Sequence, residues 1–146
     1  MLNLSGSVLS FDFGEVRIGI AQGNTTLAIA HPLTTITGSN KQEKLDKIAQ
    51  LINEWKPDFL VVGIPTYIDG KEHETTALAR RFALRLNHRF SLPVALVDER
   101  LTSVLAENLL TESNTFGKKR KAVLDSVAAM AILETFFQIG SQEIIS

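Results

Sequence analysis

The sequence contains no cysteine, which excludes a disulfide-stapled module, a thiolate metal centre and a cysteine nucleophile. Its three histidines, His31, His73 and His88, are far apart, so a zinc site built on paired histidines is not expected. No strong charge bias is present: 15 Lys and Arg stand against 16 Asp and Glu, a net charge of −1, which argues against a wholesale basic nucleic-acid binder but not against local patches. The longest unbroken apolar run, Val127 to Leu133, falls far short of the roughly 20 residues a membrane span requires. The opening segment lacks a basic stretch before its apolar residues, so a secretory signal is not expected and a cytoplasmic location is. What remains is 146 residues, 45% of them hydrophobic, enough for one domain over 1–146 with its own core and a frayed tail at about 139–146.

Periodicity orders the chain. Val8–Phe13 and Arg17–Ala21 are strand candidates joined by a hairpin around Gly14-Glu15, and Leu27–Ala30 continues past Pro32 to Ile36 as a third strand with a break. Leu45, Ile48, Ile52 and Trp55 form the apolar stripe of a helix capped by Ser39 or Asn40 and ended before Pro57. Phe59–Val62 and Leu92–Val97 are continuous apolar runs, as in strands covered on both faces. Between them, a helix at about Glu74–Arg89 turns Leu78, Phe82 and Leu86 inward and carries Arg81, Arg85 and His88 as a polar stripe. Thr102 opens another helix to about Leu110, a polar loop covers Thr111–Lys121, and a last helix runs from about Val123 to Gln138. The fold class is α/β: antiparallel pairing among the first three strands, parallel crossovers for the later two, and about four flanking helices.

Three acids stand in unusual places. Asp12 sits inside an apolar strand, where a carboxylate is either a turn residue bonding its own backbone before Gly14 or a group held by a cation or partner. Glu99 follows a buried strand at its carboxyl end, where ligands collect in open α/β sheets; taken alone, an exposed ion pair at the strand end is the better explanation of it. Asp125 has Ala128, Ala129 and Ile132 as helical neighbours, so it faces inward; a carboxylate in a first helical turn is also favoured by the macrodipole. Together the three suit hard divalent cations such as Mg²⁺ or Mn²⁺, two of which can clamp an in-line displacement at a phosphodiester. Arg17 and Arg100 stand close to two of these acids and can hold the scissile phosphate, and Lys118, Lys119, Arg120 and Lys121 form a basic run that either is simply solvated or grips a phosphate backbone. Arg81 and Arg85 would extend such a track, and Tyr67 and Asp69 are placed to touch substrate.

Other templates fail. Gly63 to Gly70-Lys71-Glu72 lacks P-loop spacing, Gly14, Gly19 and Gly23 do not fit G-x-G-x-x-G, and no G-x-S-x-G elbow occurs. The actin-like kinase and chaperone ATPases also open with an acid-and-glycine hairpin, but they need two domains.

Four blocks carry a family resemblance: Asp12-Phe-Gly-Glu-Val-Arg-Ile-Gly-Ile-Ala21, Val61-Val-Gly-Ile-Pro65 with Asp69-Gly70, Asp98-Glu-Arg-Leu-Thr102, and Lys119-Arg-Lys-Ala-Val-Leu-Asp125 with Ala128-Ala129. In this the chain resembles the YqgF/RuvX family. The resemblance implies an RNase H-like fold with a five-stranded mixed sheet, Mg²⁺- or Mn²⁺-dependent nuclease chemistry with Asp12, Glu99 and Asp125 as catalytic metal ligands, and trimming of the 5′ end of precursor 16S ribosomal RNA. The alternatives are cleavage of four-way DNA junctions, which needs a homodimer where RNA trimming suits a monomer, and a non-catalytic nucleic-acid-binding domain. The chain has Gly23-Asn24 where the family often has Ser-Asp, and Leu105 where it often has glutamate.

Overall fold

Apolar side chains on both sides of its central strands give this chain a sheet that must be covered twice. The computed structural model describes residues 4–65, 74–98 and 117–146. In chain order they form β1 (Ser7–Asp12), β2 (Arg17–Asn24), β3 (Ile29–Thr37), α1 (Lys41–Trp55), β4 (Phe59–Ile64), α2 (Glu74–Phe90), β5 (Val94–Asp98), α3 (Gly117–Ile139) and β6 (Glu143–Ile145). The sheet order is β3-β2-β1-β4-β5-β6. β1, β2 and β3 pair antiparallel, while β4 runs parallel to both β1 and β5, as the sequence pattern predicts.

The sheet has six strands rather than five because the tail does not fray. Gly140 adopts φ 79° just past α3, and its N–H bonds the Phe136 carbonyl at 2.8 Å, a left-handed cap that turns the chain back. Glu143–Ile145 then pairs antiparallel with Val94–Leu96. A three-residue strand shows no period in sequence. Two other expectations shift. The break at Pro32 is a register irregularity opposite Ile20 and Ala21 within a continuous β3, tolerated because β3 is an edge strand. α3 starts at Gly117, so Lys118–Lys121 belongs to its first turns and not to a loop; lysine and arginine are good helix formers even where the dipole disfavours them. The described residues hold three helices, and the helix expected over Thr102–Leu110 lies outside them.

α1 and α2 cover one face, packing Ile48, Phe82 and Leu86 on Leu9, Phe11, Leu60 and Val62. α3 covers the other, with Ile132 and Leu133 on Val8, Phe59, Val61 and Val97. α1 begins with reciprocal caps: Asn40 accepts the Glu43 N–H at 2.8 Å, and Glu43 accepts the Ser39 N–H and hydroxyl at 2.8 and 2.7 Å.

The α3 face owes its form to β2, where Gly19, Ala21 and Gly23 alternate onto one side as a trough of small residues. A Cβ on Gly19 would stand 1.9 Å from the Asp125 carbonyl oxygen, and one on Gly23 would meet Ile29 backbone at 2.6 Å and the Leu133 side chain at 2.9 Å. The family difference at Gly23 is therefore also a packing choice. Beside the trough, the wholly buried Ser10 donates its hydroxyl to the Ala129 carbonyl at 2.7 Å, which fixes where along the strand the helix sits.

Two outcomes are expected. Gly19→Ala forces helix backbone off the sheet and lowers stability by about 2–3 kcal/mol, the upper range for overpacking, measured by denaturant unfolding. The Ser39 hydrogen bonds, then Lys47, hold the Glu43 carboxyl below its ordinary 4.5. The cap therefore stabilises the fold fully above that value and is lost as pH falls through the lowered one. The stability gap between wild type and Glu43→Gln should accordingly close on acidification below about pH 4.5.

Candidate active site

Strand and helix periods bring two of the predicted acids together. Val8, Ser10 and Asp12 alternate onto the α3 face of β1, an advance of about 6.8 Å per pair of residues. Four helical residues advance about 6 Å, so Leu133, Ala129 and Asp125 keep step with them in the opposite direction. Two contacts bear out this match: Ser10 reaches Ala129, and Gly19, the cross-strand partner of Asp12, lies against the Asp125 backbone. Asp12 and Asp125 thus occupy the same end of the same face.

Arg17, the first residue of β2, closes this end. Its Nε donates to Asp125 Oδ2 at 2.7 Å, with the two side chains 38% and 20% exposed. The β1–β2 hairpin returns the chain so that Arg17 follows Asp12 by only five residues while standing beside the helix. Asp125 lies more than two turns past Gly117. The macrodipole acts within the first turn, so it does not explain an acid here. A partly exposed pair of this kind contributes little to folding.

The third expected acid, Glu99, lies outside the described residues, as do Arg100, Tyr67 and Asp69. The side chains of Lys118, Lys119, Arg120 and Lys121 also lie outside them, although their backbone is the start of α3. Among the described residues no cluster of three potential metal ligands occurs. Asp12 and Asp125 would offer two carboxylates to a hard divalent cation, and such ions complete their shell with water and substrate oxygens. The donor chemistry fits. β5 brings the chain toward them: Val97 faces α3, and the Asp98 N–H donates to Gln142 Oε1 at 2.8 Å.

Arg81 and Arg85 lie across the sheet from Asp12 and Asp125, lining a cleft between α1 and α2. Ser10 and Gly19, which place Asp125, do not stand out in the sequence as site residues. Their signal is the period-two run of small residues Gly19, Ala21 and Gly23, set between the larger Ile18, Ile20 and Gln22.

Comparison with known proteins agrees with this architecture. The Thermus thermophilus RuvC structure aligns with a TM-score of 0.55 at 13% identity, over 95% of this chain and 99% of that one. The fowlpox virus resolvase, solved with Holliday junction DNA, aligns at 0.56 and 8% identity over 90% and 97%. At such identities the likeness is one of fold, and it defines an RNase H-like α/β protein of the RuvC type. A family profile described as "RuvX: Holliday junction resolvase" matches residues 6–139. A protein of Neisseria meningitidis serogroup B named "Putative pre-16S rRNA nuclease" is 57% identical over 138 residues, 94% of this chain and 91% of the relative. One of the same name from Nitrosomonas europaea is 53% identical over 136 residues, 93% and 92%. The chain belongs to the RuvX family.

Because the Arg17–Asp125 pair is peripheral to the core, Arg17→Gln and Asp125→Asn should each change unfolding free energy by no more than about 1 kcal/mol. A double-mutant cycle checks this; a coupling of several kcal/mol would make the pair a structural one.

Proposed function

We propose that this chain is a divalent-metal-dependent nuclease that hydrolyses phosphodiester bonds and matures the 5′ end of precursor 16S ribosomal RNA in the cytoplasm. The observation that carries the proposal is the shared position of Asp12 and Asp125 at one end of the α3 face, with Arg17 bridging to the helix. The names of the RuvX relatives supply the substrate class. None of the described helices is long and apolar enough to cross a membrane.

Asp12 and Asp125 would hold the cations, with Glu99, next in sequence after the end of β5, as third ligand. Mg²⁺ or Mn²⁺ held there would supply charge neutralisation at the phosphate and activation of water for in-line attack. The protein's own part is placement. Arg17 uses Nε to fix the Asp125 carboxylate, leaving its Nη groups to hold a phosphate oxygen of the substrate. Water adds to phosphorus as the P–O bond to the leaving oxygen breaks, and the water proton passes to solvent or to a carboxylate. Arg100 and Lys118–Lys121 would carry neighbouring phosphates.

The family description favours a second reading, resolution of four-way DNA junctions, which requires two sites related by a two-fold axis. Matched precursor RNA and junction DNA, offered to wild type with Mn²⁺ and with chelator, decide between them. Cleavage of RNA by a monomer is expected, abolished by chelator and reduced at least about a hundredfold in Asp12→Asn, the scale of lost charge stabilisation at such sites. Junction cleavage by a stable dimer would establish the second reading. Unaltered cleavage by Asp12→Asn would remove the metal mechanism, and tight binding without cleavage by wild type would mark a binding domain.

A further inference from the structure

On the face opposite the acids, α1 and α2 flank a cleft of about 280 Å³. Its floor is apolar: Phe13, Ile18, Leu45, Leu78 and Phe82, with the Phe13 and Phe82 rings 4.9 Å apart and inclined by 32°. Its rim is cationic. Lys41 and Lys44 come from successive turns of α1, and Arg81 and Arg85 from successive turns of α2, with Glu15 the single carboxylate among the described lining residues. Lys44 Nζ donates to the Glu15 carbonyl. Lys41, Arg81 and Arg85 make no ion pair with any described residue. The two acids in the first turns of α1 are engaged elsewhere, Glu43 with Ser39 and Lys47 and Asp46 with Arg89.

Like charges three or four residues apart on a helix disfavour it, so four cations gathered around one concavity, with Glu15 the single carboxylate among its described lining residues, cost stability that an anion would restore. A rim of cations alone accepts any anion. The enclosed aromatic floor adds a demand for a flat apolar group, and the volume lies at the lower end for ligand pockets. A phosphate joined to a nucleobase meets both demands, with the base on Phe13 and Leu78 and the phosphate on the arginines.

We infer that the α1–α2 cleft binds a nucleoside monophosphate unit. Its ligand is identified by the cleft alone. That the unit belongs to a single strand also engaged at Asp12 rests on the nuclease reading and on adjacency, since Phe13 follows Asp12 and faces the opposite side of the sheet.

The test is titration by NMR and calorimetry, with chelator present, using AMP, inorganic phosphate and a five-nucleotide oligoadenylate. Saturable AMP binding that shifts Phe13 and Leu78 signals is expected, weakened at least about tenfold in Arg81→Glu/Arg85→Glu and unchanged in Asp125→Asn. For the oligonucleotide, releasing the one phosphate held by both arginines should lower the salt slope by about 0.7 on a single strand. Oligoadenylate binding more tightly than AMP supports a strand as the source, and equal affinity supports a free nucleotide. Arg81→Gln/Arg85→Gln serves if charge reversal disturbs folding, as judged by thermal melting. No AMP or oligonucleotide binding, binding indifferent to the arginines, or inorganic phosphate binding as well as AMP would each overturn the inference. None of these outcomes bears on cleavage by Asp12→Asn, so the two readings fail separately.

Discussion

The approach of α3 to β2 is the constraint on which the site depends. Helix backbone contacts a strand this closely only where side chains are missing, and Gly19 supplies that gap directly beneath Asp125. Ser10 sets the axial position through a buried hydroxyl that has to find an acceptor and finds Ala129. Depth and register together deliver a carboxylate to the strand end where Asp12 already stands. A helix held one side chain further out would leave each acid isolated, and neither alone would hold a divalent ion with useful strength.

Much of this was legible in the sequence. The apolar runs Phe59–Val62 and Leu92–Val97 could only be doubly covered strands, and the α1 stripe with its Asn40 cap left little choice. Asp12 stood out because a carboxylate contradicts the pattern around it, and Asp125 because its helical neighbours are small and apolar. Other features were hidden for identifiable reasons. The glycines of β2 do not match a phosphate-loop template, and their meaning emerges only at period two. The basic run before Asp125 has loop-like polarity but helical propensity, so the start of α3 lay earlier than its apolar residues suggested. β6 is too short to carry a pattern, and its pairing depends on a glycine turn that positions it.

The sheet also separates two sets of described charges. Asp12 and Asp125 lie with Arg17 on the α3 face, and Lys41, Arg81 and Arg85 line the cleft between α1 and α2. Alternation along β1 achieves this with adjacent residues, Asp12 to one side and Phe13 to the other.

The β6 segment has a mechanical meaning. Gln142 holds β5 twice, its backbone N–H on the Leu96 carbonyl and its side chain on the Asp98 N–H, at the point where the chain departs for Glu99. β6 is therefore a clasp on the end of β5, the strand that Glu99 follows in sequence. Pulling it loose, or competing for it with another strand at the exposed sheet margin, would release both of these bonds at once.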